Sequence, residues 1–169
     1  MVLTKSELIS ALQKEVRILV HLAGKVDRSM IDYRPTPKQR STLELLRYLT
    51  IMGPGLVQAA KAGGFDVAAW TAATKEAEAR DFDQTVASLA AQADEYARLL
   101  GDMSDADFRA EMTGFDGSQV SKGSFIVNLV LSGHAAYRTQ LFLYLKANGR
   151  EELSTYNLWQ GVDAPAAAV

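Results

Sequence analysis

Leu8, Leu12, Val16, Leu19, Ala23 and Val26 recur at steps of four and three, a rhythm that admits an amphipathic helix and little else. A helix turns once in about 3.6 residues, so these side chains share one apolar face, on a helix running from Thr4 to about Asp27. Thr4-Lys5-Ser6-Glu7 in front of it reads as a capping box, with the threonine capping the start and the glutamate reaching back. The same rhythm returns in Phe82, Val86, Leu89, Ala93, Tyr96 and Leu100, and Gly101 stands where a C-terminal glycine cap belongs. Between these segments, "DYRPTPKQRS" breaks the first helix with two prolines and ends in Ser41, a good N-cap. The second helix begins in "TLELLRYLTIM" and is interrupted or kinked at Gly53-Pro54-Gly55, because proline donates no helical hydrogen bond. It resumes through "LVQAAKA" until Gly63-Gly64 stops it. Residues 65–81 form an alanine-rich crossover with a short helix and Trp70. Ser104 to Asp107 caps a brief helical turn, and residues 112–124 are turn-rich with a short extended segment. A fourth helix runs from about Ser124 to Asn148-Gly149.

Four long helices in 169 residues predict an all-α four-helix bundle in a single domain spanning 1–169, with 163–169 as a frayed tail. Such a length buries roughly two thirds of the unfolded surface. The short connection between helices one and two makes them antiparallel neighbours, whereas the long crossover between helices two and three leaves those two parallel. Tyr156, Leu158 and Trp159 form an apolar cluster that predicts a tail folded back over the bundle. A net charge of −2 with no clustered basic face excludes a nucleic-acid footprint. No apolar run approaches the roughly 18 residues of a membrane span, and "MVLTKSELIS" lacks a secretory signal, so a soluble cytoplasmic protein is expected.

Chemistry-bearing residues are few. There is no cysteine, which removes disulfides, thiolate metal sites and cysteine nucleophiles. No glycine-rich loop joins a strand to a helix, and "GFDGSQVSKGS" lacks the strand–elbow–helix setting of a hydrolase nucleophile. That loop reads as a turn that can border a pocket. His21 projects opposite the first helix's apolar stripe and reads as a solvated surface histidine. His134 shares an arc with Val130, Tyr137, Leu141 and Tyr144, while Leu131 and Phe142 extend the apolar surface around another flank. A helix apolar on so many sides is central to its bundle or sits in a homodimer interface. A neutral His134 bonded to a tyrosine hydroxyl or a backbone carbonyl is the least costly arrangement, which makes it a structural or pocket-lining residue before a catalytic base. A divalent-metal site of three or more His, Cys or carboxylate ligands meets a shortage of donors around His134.

"DYRPTPKQRSTLELLRYL" and "HAAYRTQLFLYLKANG" together resemble the DinB/YfiT-like superfamily of four-helix bundles, over essentially the whole chain. Arg34-Pro35-Thr36-Pro37 resembles that superfamily's entry to helix two, and Arg138-Thr139-Gln140 its signature on helix four. The resemblance implies up-down-down-up topology and a divalent-metal site of three histidines. It places those ligands on Tyr48, on Gly133 (next to His134) and on Tyr137, none of them histidine. Members that keep the triad look like thiol-dependent transferases and isomerases, and many have no assigned activity. The expectation is therefore a DinB-like small-molecule-binding or accessory bundle with a degenerate metal site and no cofactor. Tyr48, His134, Tyr137, Arg138 and Gln140 would line its pocket, and a small polar or anionic ligand would fill it. The alternatives are a metal- or thiol-dependent transferase or hydrolase using zinc, nickel or iron, or with His134 as base, and a non-catalytic dimeric module.

Overall fold

The computed structural model describes residues 3–165; residues 166–169, most of the expected tail, lie outside the described residues. Each long helix begins where its local sequence says it should. α1 (Lys5–Ala23) starts on Thr4, whose hydroxyl and Glu7 form the expected capping box. α2 (Thr42–Ala62) starts on Ser41 with Glu44 as its reciprocal partner, and ends at Gly63, whose φ of 77° favours a residue without Cβ. α3 (Val67–Glu78) is the crossover helix, capped by Asp66. α4 (Phe82–Gly101) is capped by Asp81 and Gln84, and α5 (Asp105–Arg109) is the brief turn on Ser104. The extended segment is a hairpin of β1 (Glu111–Thr113) and β2 (Gln119–Ser121), antiparallel with Met112 opposite Val120. α6 (Lys122–Phe125), a π-helical stretch over Ile126–Leu131 and α7 (Ser132–Ala147) follow without a gap and make up the fourth long helix. α8 (Thr155–Gln160) closes the chain.

Hydrogen bonds between helices fix their directions. Lys5 at the start of α1 donates to the carbonyl of Gly101 at the end of α4, and Gln13 to Ala93, so these two are antiparallel. Gln92 donates to Leu49 and Lys61 to Leu99, so α2 and α4 are parallel. Lys122 donates to Lys61 and Tyr144 to Arg40, which sets α7 against α2. Glu15 pairs with Arg138 and Arg150 donates to Lys25, so α1 and α7 run together. The result is an up-down-down-up bundle whose core includes Leu12, Leu19, Leu22, Leu45, Leu49, Leu89, Tyr96 and Ile126. Among the described residues no helix is long and apolar enough to cross a membrane.

Three expectations are corrected. α1 and α2 are antiparallel but not neighbours: each is flanked by α4 and α7, so the pair lies across a diagonal. The linker of residues 24–41, with its 3-10 turn at Arg28–Met30, spans that diagonal. α2 is not interrupted, since it runs through Pro54 unbroken. His21 is not a solvated surface residue, because α8 covers it and Asn157 meets its Nε2 at 3.0 Å. The tail does fold back, but with its polar side inward: Asn157 is buried, whereas Trp159 stays 57% exposed. Within the expected frayed segment Asp163 is held, bonded to Lys25 at 2.8 Å and to Asn157 at 2.9 Å.

Candidate functional site

The Gly53-Pro54-Gly55 run of α2 serves as spacing for its neighbours. A Cβ on Gly53 would stand 1.6 Å from the Tyr96 hydroxyl, and one on Gly55 would stand 3.0 Å from the Trp70 ring. One glycine admits α4 to the interior, and the other admits α3 to the outer face.

Tyr96 uses that room to meet His134, hydroxyl to Nε2 at 2.5 Å, with the two rings edge to face. Burial drives the His134 pKa down to about 4, so the ring is neutral near pH 7. Burial likewise pushes the Tyr96 phenol well above its ordinary value. Nδ1 of His134 is buried without a partner among the described residues. One turn on, Arg138 is buried against Glu15 at 2.9 Å, and the Trp159 ring lies 4.8 Å from its guanidinium carbon. Desolvation outweighs that guanidinium and raises the Glu15 pKa. Gln140 donates to the Tyr144 hydroxyl, which donates to the Arg40 carbonyl and so ties α7 to the loop before α2.

The structure thus divides the five pocket residues expected from sequence. Tyr48 and Tyr137 come together, with ring centroids 5.2 Å apart, on a cavity of about 510 Å³ between α2 and α7. His134 and Arg138 are held in the bundle interior by Tyr96 and Glu15, and Gln140 lies beside a separate depression with Tyr33 and Pro35. Gly133 lines the Tyr48–Tyr137 cavity. Burial, then the adjoining Tyr137 phenol, pushes Tyr48 up to about 12, and the Arg40 guanidinium sits over its ring at 3.9 Å. The Arg40 charge acts in the opposite direction and is outweighed, so the Tyr48 hydroxyl stays protonated across the physiological range.

The rest of the cavity wall comes from segments with no periodic signal. Trp70 stands on α3, Phe65 in the turn before it, and Phe115 at the hairpin tip. Tyr48 meets Trp70 at 6.3 Å, Trp70 meets Phe65 at 5.2 Å, and Phe65 meets Phe115 at 5.4 Å, so the rings form a continuous arc. Met52 and Leu56 from α2 and Leu129 from the π-helical stretch complete the apolar lining. A lone tryptophan in an alanine-rich crossover and an aromatic inside a glycine-rich turn were the available signals.

The metal positions implied by the resemblance also converge here, but they present two phenols and a glycine. A Cβ at Gly133 would stand 3.1 Å from the Met52 methyl, so a thioether crowds the place of the third ligand. Two neutral phenols, that of Tyr48 with its pKa pushed up to about 12, and a thioether do not fit a hard or borderline divalent cation. Among the described residues, no three His, Cys, Asp or Glu side chains gather where they could hold a metal.

An up-down-down-up bundle with an aromatic-walled cavity between its second and fourth long helices is the class that this geometry defines. Its fold is that of a DinB-like protein, YjoA, of Bacillus subtilis: the two superpose with a TM-score of 0.68 and 17% identity, over 88% of this chain and 96% of that one. No family model matches the chain, and no curated protein matches it with significance.

Proposed function

We propose that the chain is a small-molecule-binding or accessory bundle, whose pocket occupies the place of a DinB-like metal centre without using a metal. The observation that supports this reading is the cavity of about 510 Å³ where Tyr48, Gly133 and Tyr137 meet. Its volume lies within the ordinary range of ligand sites, roughly 300–1,000 Å³. Isothermal titration with low-molecular-weight thiols, small carboxylates and neutral organic molecules tests it, beside elemental analysis of protein purified without a metal-affinity tag. The expected result is binding of an organic ligand with no stoichiometric zinc, nickel or iron. Near-stoichiometric metal would transfer the case to the metal- or thiol-dependent transferase or hydrolase reading.

A cytoplasmic homodimer is part of the same proposal. Leu143 is 57% exposed on α7, with half-buried Phe142 beside it, and supports a contact between two copies. Light scattering that finds a monomer at high micromolar concentration would remove the dimer and leave the pocket standing.

A further inference from the structure

The chemistry of the cavity selects among ligands. Its lining contains no charged side chain. Arg138, next to Tyr137 in sequence, is bound to Glu15 in the bundle interior and does not line the cavity. The Arg40 guanidinium does not line the cavity but already lies on a face of Tyr48, 3.9 Å from the ring centroid. A second cation at that ring would meet repulsion and no lining carboxylate to offset it. Among the lining side chains neither an anion nor an organic cation finds a counter-charge.

A neutral aromatic molecule finds complementary surfaces. The rings of Tyr137, Tyr48 and Trp70 meet at interplanar angles of 71° and 69°, and those of Phe65 and Phe115 at 73°. Edge-to-face walls of this kind present both ring edges and ring faces, the two surfaces that a planar π-system pairs with. On the floor, the Met52 thioether offers the polarizable sulfur contact that aromatic rings favour, and Gly133 and Ala136 keep α7 low beneath the arc. At the mouth, Phe115 is 63% exposed and Phe65 36% exposed, apolar area that an occupant would cover. The phenols of Tyr48 and Tyr137 supply neutral hydrogen-bonding groups for one polar substituent.

We infer that this cavity takes a neutral planar aromatic ligand carrying a hydroxyl or carbonyl, seated between the Tyr48–Trp70–Phe65–Phe115 arc and the Gly133–Ala136 floor. The inference rests on the small-molecule-binding reading above and gives it a ligand class.

The test is titration calorimetry of the full chain with three probes matched in ring size: 2-naphthol, 2-naphthoate and 2-naphthyltrimethylammonium. Each is titrated into wild type and into Ala136→Trp. Ala136 is an exposed wall residue, so the variant fills the cavity without entering the core, and unchanged thermal unfolding checks that it folds. The expected result is that 2-naphthol binds at least about tenfold more tightly than either charged probe, and that Ala136→Trp weakens it by about tenfold or more. A charged probe that binds as well as the naphthol and is weakened by Ala136→Trp overturns the ligand class but keeps the binding function. Naphthol binding indifferent to Ala136→Trp overturns the assignment to this cavity. If no probe binds, the ligand class fails, and the binding function fails with it only if the thiols and small carboxylates titrated above do not bind either.

Discussion

His134 enters the core neutral, and that fixes how acid acts on the protein. Its folded pKa of about 4 lies below the ordinary value of 6.5, so the unfolded chain takes up the proton first. The stabilisation is therefore fully present above pH 6.5 and is lost as pH falls from there to about 4. It amounts to about 3 kcal/mol at about 1.4 kcal/mol per pKa unit. Burial also lowers the His21 pKa, so the measurement belongs in a His21→Asn background. Urea unfolding from pH 7 to pH 4 is expected to show this acid limb, and His134→Gln to flatten it. An unchanged limb in that variant would mean that the ring is not buried neutral. At this scale the sequence was legible where a motif aligned it: Tyr48, Gly133 and Tyr137 do meet. It marked the loop that carries Phe115 as one that can border a pocket, but gave no place there to Trp70 or Phe65, because non-periodic segments are positioned by long-range packing.

At the scale of the element, α2 shows how one tripeptide can be read in two ways. Glycine and proline are poor helix formers, and Gly53-Pro54-Gly55 by itself argues for a break. The helix nevertheless continues, and both glycines face large side chains from other elements, Tyr96 on one side and Trp70 on the other, which is why no Cβ stands there. Gly53→Ala is expected to lose about 1–3 kcal/mol in thermal unfolding, because the overlap at 1.6 Å exceeds the gain in helix propensity. Tyr96→Phe alone strips His134 Nε2 of its partner and is expected to cost about 1–3 kcal/mol. In the Gly53→Ala background the same change removes the clashing oxygen and should recover part of the loss. A melting temperature raised by Gly53→Ala would show that Tyr96 does not occupy that space. The helix starts were legible because a capping box is local to four residues, whereas the meaning of these glycines lies on α3 and α4.

For the whole molecule, the Glu15–Arg138 pair is a buried link between the first and the fourth long helix, with Trp159 of α8 lying over it. Arg138→Met would strand the Glu15 carboxylate and is expected to cost about 3–5 kcal/mol by urea unfolding. Glu15→Leu combined with Arg138→Met should recover most of that loss; a double variant as unstable as the single one would refute the pairing. Periodicity gave the number and direction of the helices but not their corners, since it says which face is apolar and not which neighbour covers it. The diagonal placement of α1 and α2 has a consequence for the order in which the protein is made. As the chain leaves the ribosome, α1 emerges with Leu8, Leu12 and Leu19 uncovered, and the helix synthesised next is not the one that covers them. Its first flanking partner, α4, is complete only at Gly101, and its second only at Ala147. The nascent chain therefore carries an unsheltered apolar helix until α4 has been made, and a stall before α4 leaves a product with that face open to whatever binds it.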